Sequence, residues 1–170
     1  MSDVSPPLAL LAEITHRCPL GCPYCSNPLE LERASGELDT EIWLRVLDEA
    51  AKLGVLQVHF SGGEPTVRKD LERLVRGCSE AGLYTNLITS GVLLDETRIA
   101  ALVEAGLEHL QLSFQDSEKV GGDRIGGYKG GHIKKIEVAR LVRKAGLLLT
   151  LNMVVHRQNL HNLPDMIDLA

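Results

Sequence analysis

The chain has 170 residues, about one domain on a prior of roughly 100–200 residues per domain. Its composition, 44% hydrophobic and 24% charged, is that of a globular protein and excludes a disordered tail or a fibrous repeat. With 18 Lys and Arg against 23 Asp and Glu it carries a net charge of −5, and so lacks the basic footprint that grips nucleic-acid backbones or anionic lipid.

In chain order, the start from Met1 to Pro7 has no basic region ahead of its short apolar run, so no secretory signal is expected. A first strand is predicted over Leu8–Thr15, directly before a cluster of cysteines. Asp39, ahead of Thr40-Glu41-Ile42, is a predicted N-cap, and Trp43, Val46, Leu47 and Ala50 follow helical spacing. Val55–Phe60 reads as a second strand. Leu71, Leu74, Val75 and Cys78 make the next helical stripe, and Leu83–Thr89 the third strand. Asp95 caps a third helix ahead of the strand Leu107–Phe114. Val138, Leu141, Val142 and Ala145 mark a fourth helix, followed by Leu147–Val155. That last run contains the longest apolar stretch, far short of the roughly 20 residues a membrane span needs.

Four helix-to-strand junctions read alike, at Gly54, Gly82, Gly106 and Gly146, each glycine standing where a left-handed residue closes a helix at little steric cost. Strands alternating with helices at this spacing predict βαβ units and a parallel sheet. Five strands and four complete helices make an α/β chain, a partial (β/α) barrel, in which chemistry gathers on loops at the C-terminal ends of strands. Asn162-Leu163-Pro164-Asp165 reads as the opening of a fifth helix, with proline near its first turn. With no closing glycine or sixth strand after it, the barrel is expected to be truncated after the fifth strand, as part of a longer protein.

Cys18, Cys22 and Cys25 form a C-x3-C-x2-C loop after the first strand. Reduced thiols so close favour a metal or catalytic role over disulfides, in keeping with a cytoplasmic setting. Three thiolates can wrap one iron–sulfur cluster and leave one iron open for a reactive ligand. The alternative is a zinc site in a non-enzymatic binding module, completed by His16 or Cys78. Cys78 fits its helix's apolar stripe and is expected to be a buried structural thiol. Six of the sixteen glycines, Gly121, Gly122, Gly126, Gly127, Gly130 and Gly131, mark an expected permissive loop able to hug a cofactor or gate a peptide. It lacks the order of a phosphate loop.

The cysteine triplet resembles the signature of the radical S-adenosylmethionine superfamily, and Ser61-Gly62-Gly63-Glu64-Pro65 after the second strand resembles that family's GGE motif. The resemblance implies a partial (β/α) barrel of the radical SAM type, with a [4Fe–4S] cluster on Cys18, Cys22 and Cys25. It also implies S-adenosyl-L-methionine with its amino group held at Gly62, Gly63 and Glu64, the glycines letting backbone approach the ligand. By itself a lone GGE is an ordinary strand-to-helix turn. The resemblance further implies ribose contact at Thr89-Ser90-Gly91, with Ser90 in the site, and carboxylate binding by Ser113 and Arg124. The alternative for Arg124 is a solvated loop charge. Asn152 and Val154 are implied near the adenine, although core packing is the expectation for Val154.

Three segments narrow the resemblance: Glu13–Cys18 through Cys25-Ser26-Asn27-Pro28-Leu29-Glu30-Leu31, His59–Thr66, and Leu151–Asn159. They are similar to the peptide cyclases of pyrroloquinoline quinone biosynthesis. That similarity implies an oxidoreductase that joins a glutamate and a tyrosine side chain of a small ribosomal precursor peptide of the PqqA type. A PqqD-like peptide chaperone and an external electron donor are the implied partners; another peptide maturase of the superfamily would share these residues. Full-length members carry a C-terminal cysteine-rich extension with auxiliary clusters. No cysteine follows Cys78, so residues 1–170 are expected to be the N-terminal portion of the radical SAM core, competent for the first cluster but not for completing the crosslink.

Overall fold

A computed structural model describes residues 5–26 and 36–170; Met1–Val4 and the Asn27–Leu31 part of the resemblance lie outside them. Five strands form one all-parallel sheet in chain order: β1 (Ala9–Glu13), β2 (Gln57–Ser61), β3 (Tyr84–Thr89), β4 (His109–Phe114) and β5 (Leu148–Met153). Helices α1 (Thr40–Lys52), α2 (Leu71–Glu80) and α3 (Glu96–Glu104) fill the first three crossovers. Two helices, α4 (Lys119–Gly126) and α5 (Gly131–Lys144), fill the fourth, and α6 (Leu163–Leu169) ends the chain. Among the described residues no helix is long and apolar enough to cross a membrane.

The period-2 alternation does what it predicts. Val58 and Phe60 on β2, and Leu110, Leu112 and Phe114 on β4, are buried in the core with helix residues Leu47, Leu74, Cys78, Val138 and Val142. The intervening residues carry a polar row on the other face, where the Asn86 amide bonds His59 Nδ1 at 2.9 Å and His109 Nε2 meets the Thr150 hydroxyl at 2.8 Å. Asp39 and Asp95 cap α1 and α3, accepting from the N–H of Ile42 (2.8 Å) and Arg98 (2.7 Å). Gly54, Gly82, Gly106 and Gly146 all have positive φ at the helix ends. Cys78 is fully buried in the helix stripe, as expected.

One expectation fails. The glycine-rich segment is not a loop throughout: Gly121, Gly122 and Gly126 lie in α4 and are buried. Glycine disfavours a helix by about 1 kcal/mol against alanine, but here small size decides. A Cβ on Gly121 would fall 2.0 Å from Asp116 Oδ2, so only glycine lets α4 lie against the end of β4. Gly127, at φ 62°, then closes the helix. Asp123 accepts from the N–H groups of Gly130 (2.7 Å) and His132 (2.9 Å), tying α4 to the start of α5.

Candidate active site

Parallel strands in chain order bring all five C-terminal ends to one rim, and a cavity of about 300 Å³ opens there. Cys18, Cys22 and Cys25 line it, with Gly62 and Gly63 after β2, Ser90 after β3, Ser113 on β4 and Asn152 on β5. Ser113 and Asn152 are register partners on adjacent strands. Eight of the ten residues singled out by sequence thus share one wall. Glu64 stands behind it, and Arg124 is exposed on α4 outside the lining. Val154 corrects an expectation: it is 40% exposed and lines the cavity instead of packing in the core, because β5 ends at Met153 and releases it to the rim.

The two glycines serve the chain itself. Gly63 N–H donates to Thr15 O at 2.7 Å and Glu64 N–H to Arg17 O at 2.8 Å, pressing the turn against the strand that feeds the cysteine loop. A Cβ on Gly62, at φ 133°, would fall 2.2 Å from Thr15 O. One on Gly63 would fall 2.5 Å from the carbonyls of both His16 and Arg17. The close approach that requires glycine is therefore backbone to backbone.

Glu64 is 0% exposed, and its carboxylate accepts from the Thr66 N–H (3.1 Å) and hydroxyl (2.6 Å), the Thr89 hydroxyl (2.6 Å) and the Ser90 N–H (2.7 Å) and hydroxyl. An anion so supplied with donors is stable without a counter-ion. The side chain locks the β2 turn to the end of β3 and so places Ser90.

The cysteine loop is held from several sides. Gly21 N–H donates to Gly126 O at 2.9 Å, and the Tyr24 ring lies 5.1 Å from that of His156. Gln115 Nε2 donates to the Tyr24 hydroxyl at 3.2 Å, and Tyr24 lines the cavity beside Cys22. Burial pushes the Cys18 thiol up, the nearby Glu64 carboxylate adding to it against a backbone hydrogen bond from Leu20. Burial also pushes up Cys22, opposed by the Tyr24 hydrogen bond and the charge of Lys135. Burial takes the Tyr24 phenol up to about 12.

Lys135 and Gln115 are residues the sequence reading missed. Lys135 is 2% exposed, donates to Ser113 O at 2.8 Å and to Gln115 Oε1, and is drawn down to about 8 by burial. One signal was available: Lys135 sits at i, i+3, i+7 with Val138 and Val142, a charge written into an apolar stripe. Further out, Arg68 donates to Ile14 O (2.9 Å) and Leu38 O (3.1 Å) and pairs with Asp70, while Arg17 pairs with Glu37 at 3.0 Å. This network binds the start of α1 to the end of β1, behind the cysteines.

The donor set suits a cluster better than a single ion. A structural zinc site closes around one ion with four ligands; Cys18, Cys22 and Cys25 supply three, and Cys78 is buried in the core. The three thiols instead stand around one cavity, and a four-iron cube takes each thiolate at a different iron, so its ligands surround a volume instead of converging on a point.

Comparison with known proteins agrees. The family model described as Radical SAM superfamily matches residues 12–170. A PqqA peptide cyclase of Rhodopseudomonas palustris is 66% identical over 164 residues, covering 96% of this chain and 44% of that one. One from Granulibacter bethesdensis is 62% identical over 170 residues, 100% of this chain and 46% of that one. The chain therefore spans less than half the length of these relatives. The crystal structure of Streptococcus suis SuiB bound to S-adenosylmethionine superposes with a TM-score of 0.85 at 25% identity, covering 97% of this chain and 38% of that one. With a family match over nearly its whole length, the same fold as a solved member and three thiols on the rim where that fold does chemistry, the chain belongs to the radical S-adenosylmethionine superfamily, whose cofactors are a [4Fe–4S] cluster and S-adenosylmethionine.

Proposed function

We propose that the chain is the radical-generating part of a cytoplasmic peptide cyclase that joins a glutamate and a tyrosine side chain of a PqqA-type precursor peptide in pyrroloquinoline quinone biosynthesis. The observation that carries this reading is the cysteine triplet, on the loop after β1, lining one cavity with the C-terminal ends of β2, β3, β4 and β5, in a chain 66% identical to a PqqA peptide cyclase. Cys18, Cys22 and Cys25 hold the cluster and leave one iron for S-adenosylmethionine. Backbone at Gly62 and Gly63 receives the ammonium of its methionine end, and Glu64 fixes that turn. Ser90 meets the ribose, Ser113 and Arg124 the carboxylate, and Asn152 the adenine. A reduced cluster held there would supply the electron that splits the sulfonium into methionine and a 5′-deoxyadenosyl radical, which would take a hydrogen from the glutamate side chain.

The chain's own residues orient and exclude. Ile88, Phe114 and Val154 give the cavity an apolar wall that keeps water from a reactive radical. Both half-buried thiols, Cys18 and Cys22, are pushed up by burial, so thiolate ligation must release protons and iron uptake strengthens as pH rises. A PqqD-like chaperone delivers the peptide and an external donor the electron. Completing the crosslink takes in addition the part of the relatives that lies beyond the matched span.

Mass spectrometry on the iron-loaded chain with a PqqA-type peptide and with other precursor peptides tests the reading. S-adenosylmethionine cleavage without crosslinked peptide is expected from this span alone, and crosslinked product once it is joined to the remainder of a relative. Crosslinked PqqA-type peptide from residues 1–170 alone refutes the division of labour. Crosslinking of a different peptide in preference refutes the substrate. One stoichiometric zinc in place of iron refutes the enzyme.

A further inference from the structure

Lys135 is 2% exposed and donates to Ser113 O and Gln115 Oε1, with no carboxylate within 4 Å among the described residues and the Glu64 and Asp123 charges acting on it only from further off. Such a charge is costly to bury unless something compensates it. Its position settles the direction of the bonds around it. An ammonium only donates, so the Gln115 side chain must turn Oε1 to Lys135 and Nε2 to Tyr24. The Tyr24 oxygen thus accepts from Gln115 at 3.2 Å, and its own proton is free to point into the cavity that Tyr24 and Cys22 both line. Gln115 is itself 4% exposed, so the middle of the chain of bonds is dry. Every link donates the same way, from α5 through the end of β4 to the cysteine loop, and aligned bonds in a low-dielectric interior reinforce one another.

We propose that Lys135, acting through Gln115 and Tyr24, is a positioning residue that supplies the counter-charge for the thiolate-bound cluster at Cys22. This rests on the cysteines holding that cluster. The buried ammonium finds compensating negative charge in the thiolates of Cys22 and Cys18, with the Glu64 and Asp123 carboxylates adding to it from further off, and the Tyr24 hydroxyl is left free to donate towards the Cys22 sulfur. Partners of this kind commonly change metal affinity by about 10–100-fold. They also set how readily the cluster accepts an electron, because positive charge nearby favours the more negative, reduced state.

The test is the cluster's midpoint potential in the iron-loaded protein, followed by electron paramagnetic resonance, together with the rate of iron loss to a chelator. Lys135→Met, Gln115→Leu and Tyr24→Phe are compared with wild type. Tyr24→Phe removes one hydroxyl and keeps the ring against His156, so it serves where the buried-lysine variant fails to fold. All three are expected to shift the potential to more negative values, Lys135→Met furthest, with iron loss about tenfold faster in that variant. Variants that load iron with the wild-type potential and retention overturn the inference and leave Lys135 a packing residue. A wild-type chain that takes up no iron overturns the cluster assignment itself, and this inference with it.

Discussion

Replacing Glu64 by glutamine separates a residue that holds the fold from one that waits for a ligand. The carboxylate accepts five hydrogen bonds from Thr66, Thr89 and Ser90, all from buried or nearly buried donors. Glutamine keeps the length and one carbonyl oxygen, but its amide NH2 must face either the Thr66–Thr89 pair or the N–H and hydroxyl of Ser90. Hydroxyls can rotate and accept from the amide; the N–H of Ser90 or of Thr66 cannot. At least one buried N–H is then opposed by another donor, a loss of about 1–3 kcal/mol, and the remaining bonds lose their charge assistance. A destabilisation of about 2–4 kcal/mol follows, a large share of the 5–15 kcal/mol that holds a typical domain. Urea unfolding of wild type and Glu64→Gln, both free of iron and S-adenosylmethionine, measures it, with a fall in Tm of roughly 4–16 °C alongside. A change below about 0.5 kcal/mol in the ligand-free protein refutes the reasoning, because it would mean that the carboxylate contributes only when a ligand is present.

Gly63→Ala drives a Cβ to 2.5 Å from two backbone carbonyls, so the cysteine loop must move; a loss of about 1–3 kcal/mol and reduced iron content are expected, and wild-type values for both would contradict the backbone-contact account. Asp123→Ala strips the bonds to Gly130 and His132 and should cost about 1–2 kcal/mol, with faster hydrogen exchange at the start of α5 as the local readout. For Glu37, burial pushes the carboxyl up, but hydrogen bonds from Arg17 and Thr15 and the charges of Arg17 and Arg68 outweigh it, leaving it below its ordinary value. For Asp70, burial is likewise outweighed by Arg68 and Thr40. Carboxyls lowered on folding bind fewer protons folded than unfolded, so their contribution is complete above the ordinary carboxylate range near pH 4 and disappears as pH falls through the lowered values. Arg68→Met should therefore flatten the fall in stability below about pH 4, and an unchanged acid profile would contradict the pairing.

What could be read from the sequence followed local rules. Val58 and Phe60 alternate with His59 and Ser61, Asp39 and Asp95 cap their helices, and the three closely spaced cysteines come to line one cavity. The failures are all long-range. The glycines of α4 looked like a loop because propensity counts their cost, whereas Asp116, brought up by the fold, leaves no room for a Cβ at Gly121 and His132 crowds Gly122. Val154 looked like core because an apolar residue at a strand end has no local mark of facing a cavity. Glu64 was legible as a site residue from its motif. Its partners Thr89 and Ser90 lie on the next strand, so its carboxylate's commitment to the turn was not legible. Lys135 reaches Gln115 only after a crossover of twenty residues, and neither residue carries a motif.

The proposed role of Cys18, Cys22 and Cys25 is to make this rim a radical-generating site. Anaerobic loading with iron and sulfide, reduction, and addition of S-adenosylmethionine test it most directly, with 5′-deoxyadenosine as the readout. 5′-Deoxyadenosine is expected from the wild-type chain and none when Cys18, Cys22 or Cys25 is changed to alanine. Product that survives loss of any one of the three cysteines, or a chain that binds zinc and no iron, would contradict it.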